Sequence, residues 1–228
     1  MSAARAQFFS GMKDTSPLLI GAAPFGIIYG VLATGAGIPV MMAQAISLIV
    51  FAGSAQFIAA QLIGAGASGL VIVLTTFIVN LRHALYSASM APYVKDLPRA
   101  WKWVLSYLLT DEAFAVAITH YRDNAGEPNR HWYFLGAGVA LWATWQASTA
   151  VGIFLGTEVP YEWSLDFTLA LSFIALLVPA LRTRADVIAA LVGGIVAVAA
   201  FGLPYKLGLI LAAFCGIGAG MLAWRLGK

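Results

Sequence analysis

Charge is what this sequence has least of. Only 10% of its 228 residues are Asp, Glu, Lys or Arg, against about 25% in soluble domains. Residues 15–81 contain none, an unbroken run of 67 (15 to 81 inclusive). A soluble helix needs a polar face, so a soluble core is excluded; a membrane-spanning helix needs roughly 20 apolar residues. Cysteine is nearly absent too: Cys215 stands alone in an apolar run, which excludes an intrachain disulfide and leaves it to packing. The sequence has no Cys/His cluster with metal-ligand spacing, no phosphate-binding glycine loop ending in Lys-Ser/Thr and no dinucleotide fingerprint, so neither metal nor cofactor is expected. A net charge of +3 without a basic stripe argues against nucleic acid as partner. The first 14 residues lack the basic, apolar, small-residue order of a cleaved signal peptide, and the first span is expected to be retained.

What remains, 61% apolar residues, divides into spans at turn signals. Ser16-Pro17 reads as a helix start, giving span 1 at about 16–35. Span 2 opens at Pro39 and runs to about 63; span 3 covers about 69–91. A polar stretch at 95–102 carries Trp101 and Trp103, suited to an interface, before span 4 at about 103–120. Residues 122–131 read as an aqueous loop. Span 5 (about 132–156), an acidic connection with Glu158, Glu162 and Asp166, span 6 to Leu181, and spans 7 (about 187–202) and 8 (about 206–224) complete the chain. The expected fold is an all-α integral membrane protein, a polytopic bundle of eight, or seven, transmembrane helices with interruptions, forming one transporter domain over residues 1–228. Basic residues decide orientation. Eight of them (Arg5, Lys13, Arg122, Arg130, Arg182, Arg184, Arg225, Lys228) fall on the side of the N-terminus and four (Lys95, Arg99, Lys102, Lys206) opposite, which places both termini in the cytoplasm. The 95–102 loop is the exception, and a re-entrant segment in the first 90 residues would invert the later topology. Gly26/Gly30, Gly152/Gly156 and Gly216/Gly220 have the spacing that lets helices approach closely. No internal repeat is evident, so the sequence does not demonstrate an inverted-repeat architecture.

Charged groups inside a bilayer cost several kcal/mol unless paired or hydrated, so they point to function. Two groups stand at mid-span: Asn80, Arg82 and His83 in span 3, and Thr110, Asp111 and Glu112 in span 4. At 1.5 Å per residue, Arg82 and Asp111 both lie roughly 12–14 Å below the same surface on consecutive antiparallel helices. An ion pair of Arg82 with Asp111 or Glu112 is natural there. Histidine exchanges protons near neutral pH, which makes His83 a coupling candidate beside the two acids. At the midpoint of span 2, Gly53 and Ser54 with Gln56 mark a place where the helix can break, and broken helices free backbone groups for charged substrates. Phe51 and Phe57 flank it, and Pro24-Phe25-Gly26 with Tyr29 marks a similar kink in span 1. Ser54 with His83 does not make a protease, because nothing fixes an oxyanion. No enzymatic activity is expected.

Five stretches occur in order: Pro-Phe-Gly-Ile-Ile-Tyr-Gly (24–30), Phe-Ala-Gly-Ser-Ala-Gln-Phe (51–57), Asn-Leu-Arg-His-Ala-Leu-Tyr-Ser (80–87), Leu-Thr-Asp-Glu-Ala-Phe (109–114) and Ile-Ala-Leu-Leu-Val-Pro-Ala-Leu (174–181). Together, over nearly the whole chain, they resemble the AzlC family, the large subunit of bacterial branched-chain amino-acid exporters. The resemblance implies efflux of valine, leucine, isoleucine and methionine across the bacterial cytoplasmic membrane, driven by the proton gradient. It also implies a small hydrophobic AzlD-type membrane subunit as partner, with a higher oligomer allowed. A zwitterion with an apolar side chain then needs donors for its carboxylate (amides near Gly53 and Ser54, or Arg82) and acceptors for its ammonium (Asp111, Glu112, Asn80). It also needs an apolar wall (Phe25, Tyr29, Phe51, Phe57), while His83, Asp111 and Glu112 are the candidates for proton coupling. A carrier or channel for another small solute is the alternative; a channel would show a polar stripe along several spans, which spans 5–8 lack.

Overall fold

The computed structural model describes residues 3–124, 126–158, 181, 183–204 and 207–226; within these the regular structure is helical, with no strand. The chain falls into two compact units, Met1–Trp163 and Ser164–Lys228. The expected sixth span, the connection carrying Glu162 and Asp166, and the 174–181 stretch apart from Leu181 lie outside the described residues.

The first helix, α1 (Ala3–Gly35), does not start at Ser16-Pro17 as the cap signal predicts. It runs through Pro17 and Pro24 without a stop, about 50 Å at 1.5 Å per residue. Tertiary packing overrides the local signal. α1 lies against α8 (Arg130–Glu158) along its length, and glycine at the crossing lets the backbones meet. A Cβ on Gly26 would stand 2.0 Å from Ser148 Oγ, one on Gly152 2.1 Å from the Ile27 carbonyl, and one on Gly136 2.0 Å from the Phe8 carbonyl. Contacts advance together along both chains (Phe8 with Gly136, Gly30 with Gly152, Thr34 with Gly156), so the two helices are parallel. An odd number of crossings therefore lies between them.

That number is one. α2 (Val40–Ile49) leaves the end of α1 and runs back toward mid-depth, where the Tyr29 hydroxyl donates to the Ala43 carbonyl (3.1 Å) and Ser47 Oγ lies 3.3 Å from Thr149 Oγ1. Residues 50–52 leave helical geometry, with Ala52 extended at φ −150°, ψ 94°. α3 (Gly53–Gly64) then turns back along α1. Phe57 meets Phe25 and Tyr29 edge-on (6.4 and 6.1 Å), and Gly64 ends against Ala36. Segment 40–64 thus enters and leaves by one face as a re-entrant hairpin. α4 (Gly69–Asn80) and α5 (Arg82–Val94) then form one crossing, joined by a bend at Leu81 that keeps right-handed helical dihedrals.

A second hairpin enters from the opposite face. α6 (Arg99–Tyr107) begins with Trp101 against His131 and Trp132 at the start of α8 (4.5 and 5.0 Å). It ends at Tyr107, whose hydroxyl donates to the Leu48 carbonyl of the first hairpin. Residues 108–110 break the helix and α7 (Asp111–Asp123) returns along α5: Tyr86 stacks on Phe114 (4.6 Å) and Tyr93 meets Tyr121 (5.4 Å). The Tyr121 hydroxyl donates to the Arg130 carbonyl (2.8 Å), where α8 starts. A core of Met90, Leu105, Leu109, Ala113, Ala117, Phe134 and Leu141 holds this hairpin against its neighbours.

Segments 2 and 4, expected to cross, therefore fold back. The interruption expected in segment 2 is its hairpin tip, and segment 4 breaks at 108–110, where no interruption is expected from the sequence. The helices of the first unit long and apolar enough to cross are Ala3–Gly35, Gly69–Val94 and Arg130–Thr157. Crossing plus hairpin occurs twice, inverted. The Tyr29–Phe57 and Ala36–Gly64 contacts of the first copy reappear as Tyr86–Phe114 and Tyr93–Tyr121, each residue 57 positions on (29 to 86, 57 to 114, 36 to 93, 64 to 121). The inverted repeat that the sequence does not reveal is present in the fold. The topology also regroups the charges. Arg5, Lys13, Lys95, Arg99, Lys102, Arg122 and Arg130 all lie toward the face that holds the start of α1, and the opposite loops, 36–39 and 65–68, hold no Lys or Arg.

In the second unit, α9 (Arg184–Ala199) and α10 (Leu207–Leu226) form an antiparallel pair. Thr183 and Asp186 close a reciprocal cap on α9. A Cβ on Gly216 would stand 2.8 Å from the Ala189 carbonyl and one on Gly220 2.9 Å from Ala189 Cβ, as their spacing predicts.

Candidate functional site

The two hairpin tips meet at mid-depth in the first unit, with Phe51 tilted against Tyr107 (6.1 Å). Breaking a helix at this depth exposes backbone groups that lipid cannot satisfy, so such breaks occur only where protein or water covers them. Between the tips lies Arg82, the first residue of α5. One guanidinium nitrogen is 2.7 Å from Asp111 Oδ2, and the other donates to Ser54 Oγ at 2.8 Å. Arg82 thus links the starts of three helices: Ser54 in the first turn of α3, itself at α5, and Asp111 at α7.

The expected Arg82–Asp111 pair forms, but on different geometry. α5 and α7 run in the same direction, not antiparallel. Because the α6–α7 segment folds back, both helices start at the same depth, and the pair joins their first residues. Glu112 is exposed and stays outside the pair. His83 also stands apart: its Nδ1 is 3.1 Å from the Asn80 carbonyl and its ring edges Tyr86 (5.8 Å). Asn80 closes α4.

Several buried polar atoms around the tips make no close hydrogen bond among the described residues. These are both ends of the Gln56 carboxamide, Asn80 Oδ1, Arg82 Nε, Asp111 Oδ1 and the indole N–H of Trp145. Among the described residues the Gln56 carboxamide has only the Tyr29 hydroxyl beside it, and the Tyr86 hydroxyl approaches the Asp111 carboxylate. Gln56 is 1% exposed. A buried donor or acceptor without a close partner costs about 1–3 kcal/mol, so six of them in one region is unusual. The set is balanced: Gln56 Nε2, Arg82 Nε and Trp145 Nε1 donate, while Gln56 Oε1, Asn80 Oδ1 and Asp111 Oδ1 accept. The apolar side consists of Tyr29 and Phe57, both buried, with Phe25 against them and Phe51 packed on the core of the second hairpin. Such an arrangement can hold a small molecule with both charges and an apolar chain.

Sequence reasoning missed Trp145, Tyr86 and Tyr107. Trp145 lies in the middle of α8 with its six-membered ring on Gly53; a Cβ there would be 2.9 Å from Cη2. No spacing rule distinguishes it from a lipid-facing tryptophan. Tyr86 and Phe114 became findable only as the repeat counterparts of Tyr29 and Phe57. A second polar cluster, also missed, lines an open depression near the basic face. His120 lies flat on Tyr133 (3.6 Å) and 3.2 Å from Glu127 Oε2, and the Tyr133 hydroxyl donates to Asp14 (2.8 Å).

Comparison with known proteins relates the chain to a family of membrane proteins. The profile of the family described as AzlC protein matches residues 17–159, which contain both hairpins and the site. The inner membrane protein YgaZ of Escherichia coli is 30% identical over 210 residues, covering 87% of this chain and 84% of that one. An uncharacterized membrane protein of Archaeoglobus fulgidus is 32% identical over 216 residues, 92% and 93% of the two chains. The branched-chain amino acid transport protein AzlC of Bacillus subtilis is 26% identical over 174 residues, 76% and 67% of the two. No solved structure matches the chain.

Proposed function

The chain belongs to the AzlC family, and on that premise we propose that this membrane transport protein exports branched-chain amino acids through the site between its hairpin tips. Valine, leucine and isoleucine are the substrates, with methionine as a fourth of similar shape. The observation that carries this reading is the mid-depth meeting of two opposed hairpins around Arg82, Asp111 and Ser54, ringed by buried polar atoms without close hydrogen bonds among the described residues. The Bacillus subtilis relative, named a branched-chain amino acid transport protein, supports the substrate class.

Opposed hairpins suit alternating access, because each tip closes the site from one face. Displacing the α2–α3 tip opens the site to one side and displacing the α6–α7 tip to the other. Proton coupling follows if protonation of Asp111 loosens its hold on Arg82 and frees the second tip. The face that holds the start of α1, and with it the N-terminus, lies in the cytoplasm; seven basic residues toward it and none in the opposite loops of the first unit support this orientation. The membrane is the bacterial cytoplasmic membrane. A small AzlD-type subunit completes the exporter.

The test is transport in proteoliposomes holding the chain with that small subunit, using labelled valine, leucine, isoleucine and methionine with and without a pH gradient. Gradient-dependent movement supports the reading. A folded complex that moves none of the four refutes it in favour of a carrier for another small solute.

A further inference from the structure

The two tips are repeat counterparts, yet electrically they are opposites. α7 starts closed: the Thr110 hydroxyl accepts from the Ala113 amide (3.3 Å), and Asp111 and Glu112 stand in its first turn, where carboxylates offset the partial positive charge of a helix start. α3 starts bare. Its cap position is Ala52, which makes no side-chain bond, and its first turn holds no acid. Its first backbone bond runs from Gln56 N to the Ala52 carbonyl (3.0 Å), so the amides of Gly53, Ser54 and Ala55 have no intrahelical acceptor.

A bare helix start is common and by itself indicates little. Here two buried side chains whose donors make no close hydrogen bond stand on it. Gln56, 1% exposed, follows the first turn directly, and its carboxamide has only the Tyr29 hydroxyl beside it among the described residues. Trp145 is 8% exposed, and its Cζ2 lies 3.4 Å from where a Gly53 Cβ would be. Its unpartnered indole N–H is separated from that carbon by Cε2 alone, so it sits beside the first residue of α3. Free amides, a carboxamide and an indole N–H are all donors to an anion, and the macrodipole of α3 adds to them. The unpaired acceptors lie elsewhere: Asp111 Oδ1 at the other tip and Asn80 Oδ1 at the end of α4.

Resting on the amino-acid reading above, we propose that the start of α3 with Gln56 and Trp145 is a carboxylate subsite, and that Asp111 at the α7 tip receives the ammonium. The substrate is thus held in one orientation between the two tips. Trp145 is a binding residue whose N–H fixes the carboxylate, and Gly53 has no side chain because one would displace the indole.

The test compares leucine, leucinamide (no carboxylate) and 4-methylpentanoate (no ammonium) as competitors for leucine binding by the full chain with its small subunit. Trp145→Phe keeps a ring without the N–H; Gln56→Met keeps the shape without the polar atoms. Each is expected to weaken leucine and 4-methylpentanoate about tenfold, the loss of one hydrogen bond to a charged group, and to leave leucinamide unchanged. Equal weakening of all three ligands, or of none, in both variants overturns the subsite while leaving the transporter reading in place. If the wild-type complex binds no leucine, both readings fall together.

Discussion

Arg82 and Asp111 are 2.7 Å apart at mid-depth, with side chains 32% and 39% exposed, and their removal separates a packing role from a transport role. Replacing Arg82 with Met leaves Asp111 as a lone carboxylate; replacing Asp111 with Leu leaves Arg82 with only the Ser54 hydroxyl. A lone charge at the centre of a span costs about 2.5–3.5 kcal/mol on insertion scales. Partial exposure lowers that, so about 2 kcal/mol for each single variant is a fair expectation. The double variant removes both charges with their desolvation cost, and replacing a buried pair by apolar groups is often neutral. It should therefore be within about 1 kcal/mol of wild type, giving a coupling of roughly 3 kcal/mol. In a thermal melt of the detergent-solubilised complex, at about 2–4 °C per kcal/mol for a chain of this size, each single variant drops by roughly 4–8 °C. The double variant recovers most of that. Leucine transport is expected to vanish in all three. If the double variant recovers transport with stability, the pair is a packing device and the site lies elsewhere. Additive melting losses would refute the interaction itself.

Three further outcomes follow from the fold. In a Cys215→Ala background, Val40→Cys and Ser68→Cys should react with an impermeant thiol reagent from one side of the membrane, and Asp96→Cys and Asn124→Cys from the other. If segment 40–64 crossed, Val40 and Ser68 would react from opposite sides. Gly152→Ala should destabilise by about 1–3 kcal/mol, since the new methyl meets the Ile27 carbonyl at 2.1 Å in a crossing with no slack. Gly194→Ala, in α9 with nothing within 4 Å, should be neutral or raise stability by up to about 1 kcal/mol, and comparative melts read both. Gln56→Met should raise the melting temperature of the ligand-free complex by about 2–4 °C, roughly 1 kcal/mol, because it removes a buried carboxamide that has only the Tyr29 hydroxyl beside it among the described residues. A fall instead would make Gln56 a structural residue.

The sequence alone determined the environment and most of the chemistry. A stretch of 67 residues without charge admits only a bilayer, and Arg82, Asp111 and Ser54 were marked by being polar where polarity is costly. The close-packing glycines were legible because their spacing is a property of the helix. The helix break at Gly53 was legible because glycine supplies a local reason to break. The break before Asp111 was not, since Thr110 reads equally well inside a continuous span. What the sequence could not give was direction. A crossing of about 25 residues and a hairpin of the same length bury the same apolar side chains, and hydropathy records burial without saying which way the chain runs. Only contacts between distant residues decide it: Gly64 returning to Ala36, and Tyr121 to Tyr93. The inverted repeat was hidden for a related reason. Its two copies share an interlocking pair of rings, Tyr29 with Phe57 and Tyr86 with Phe114, while the polar positions diverged, Ser54 standing opposite Asp111 and Phe25 opposite Arg82. Trp145 carried no local signal, because its importance comes from Gly53, a residue 92 positions away (145 less 53). Packing across the bundle brought them together.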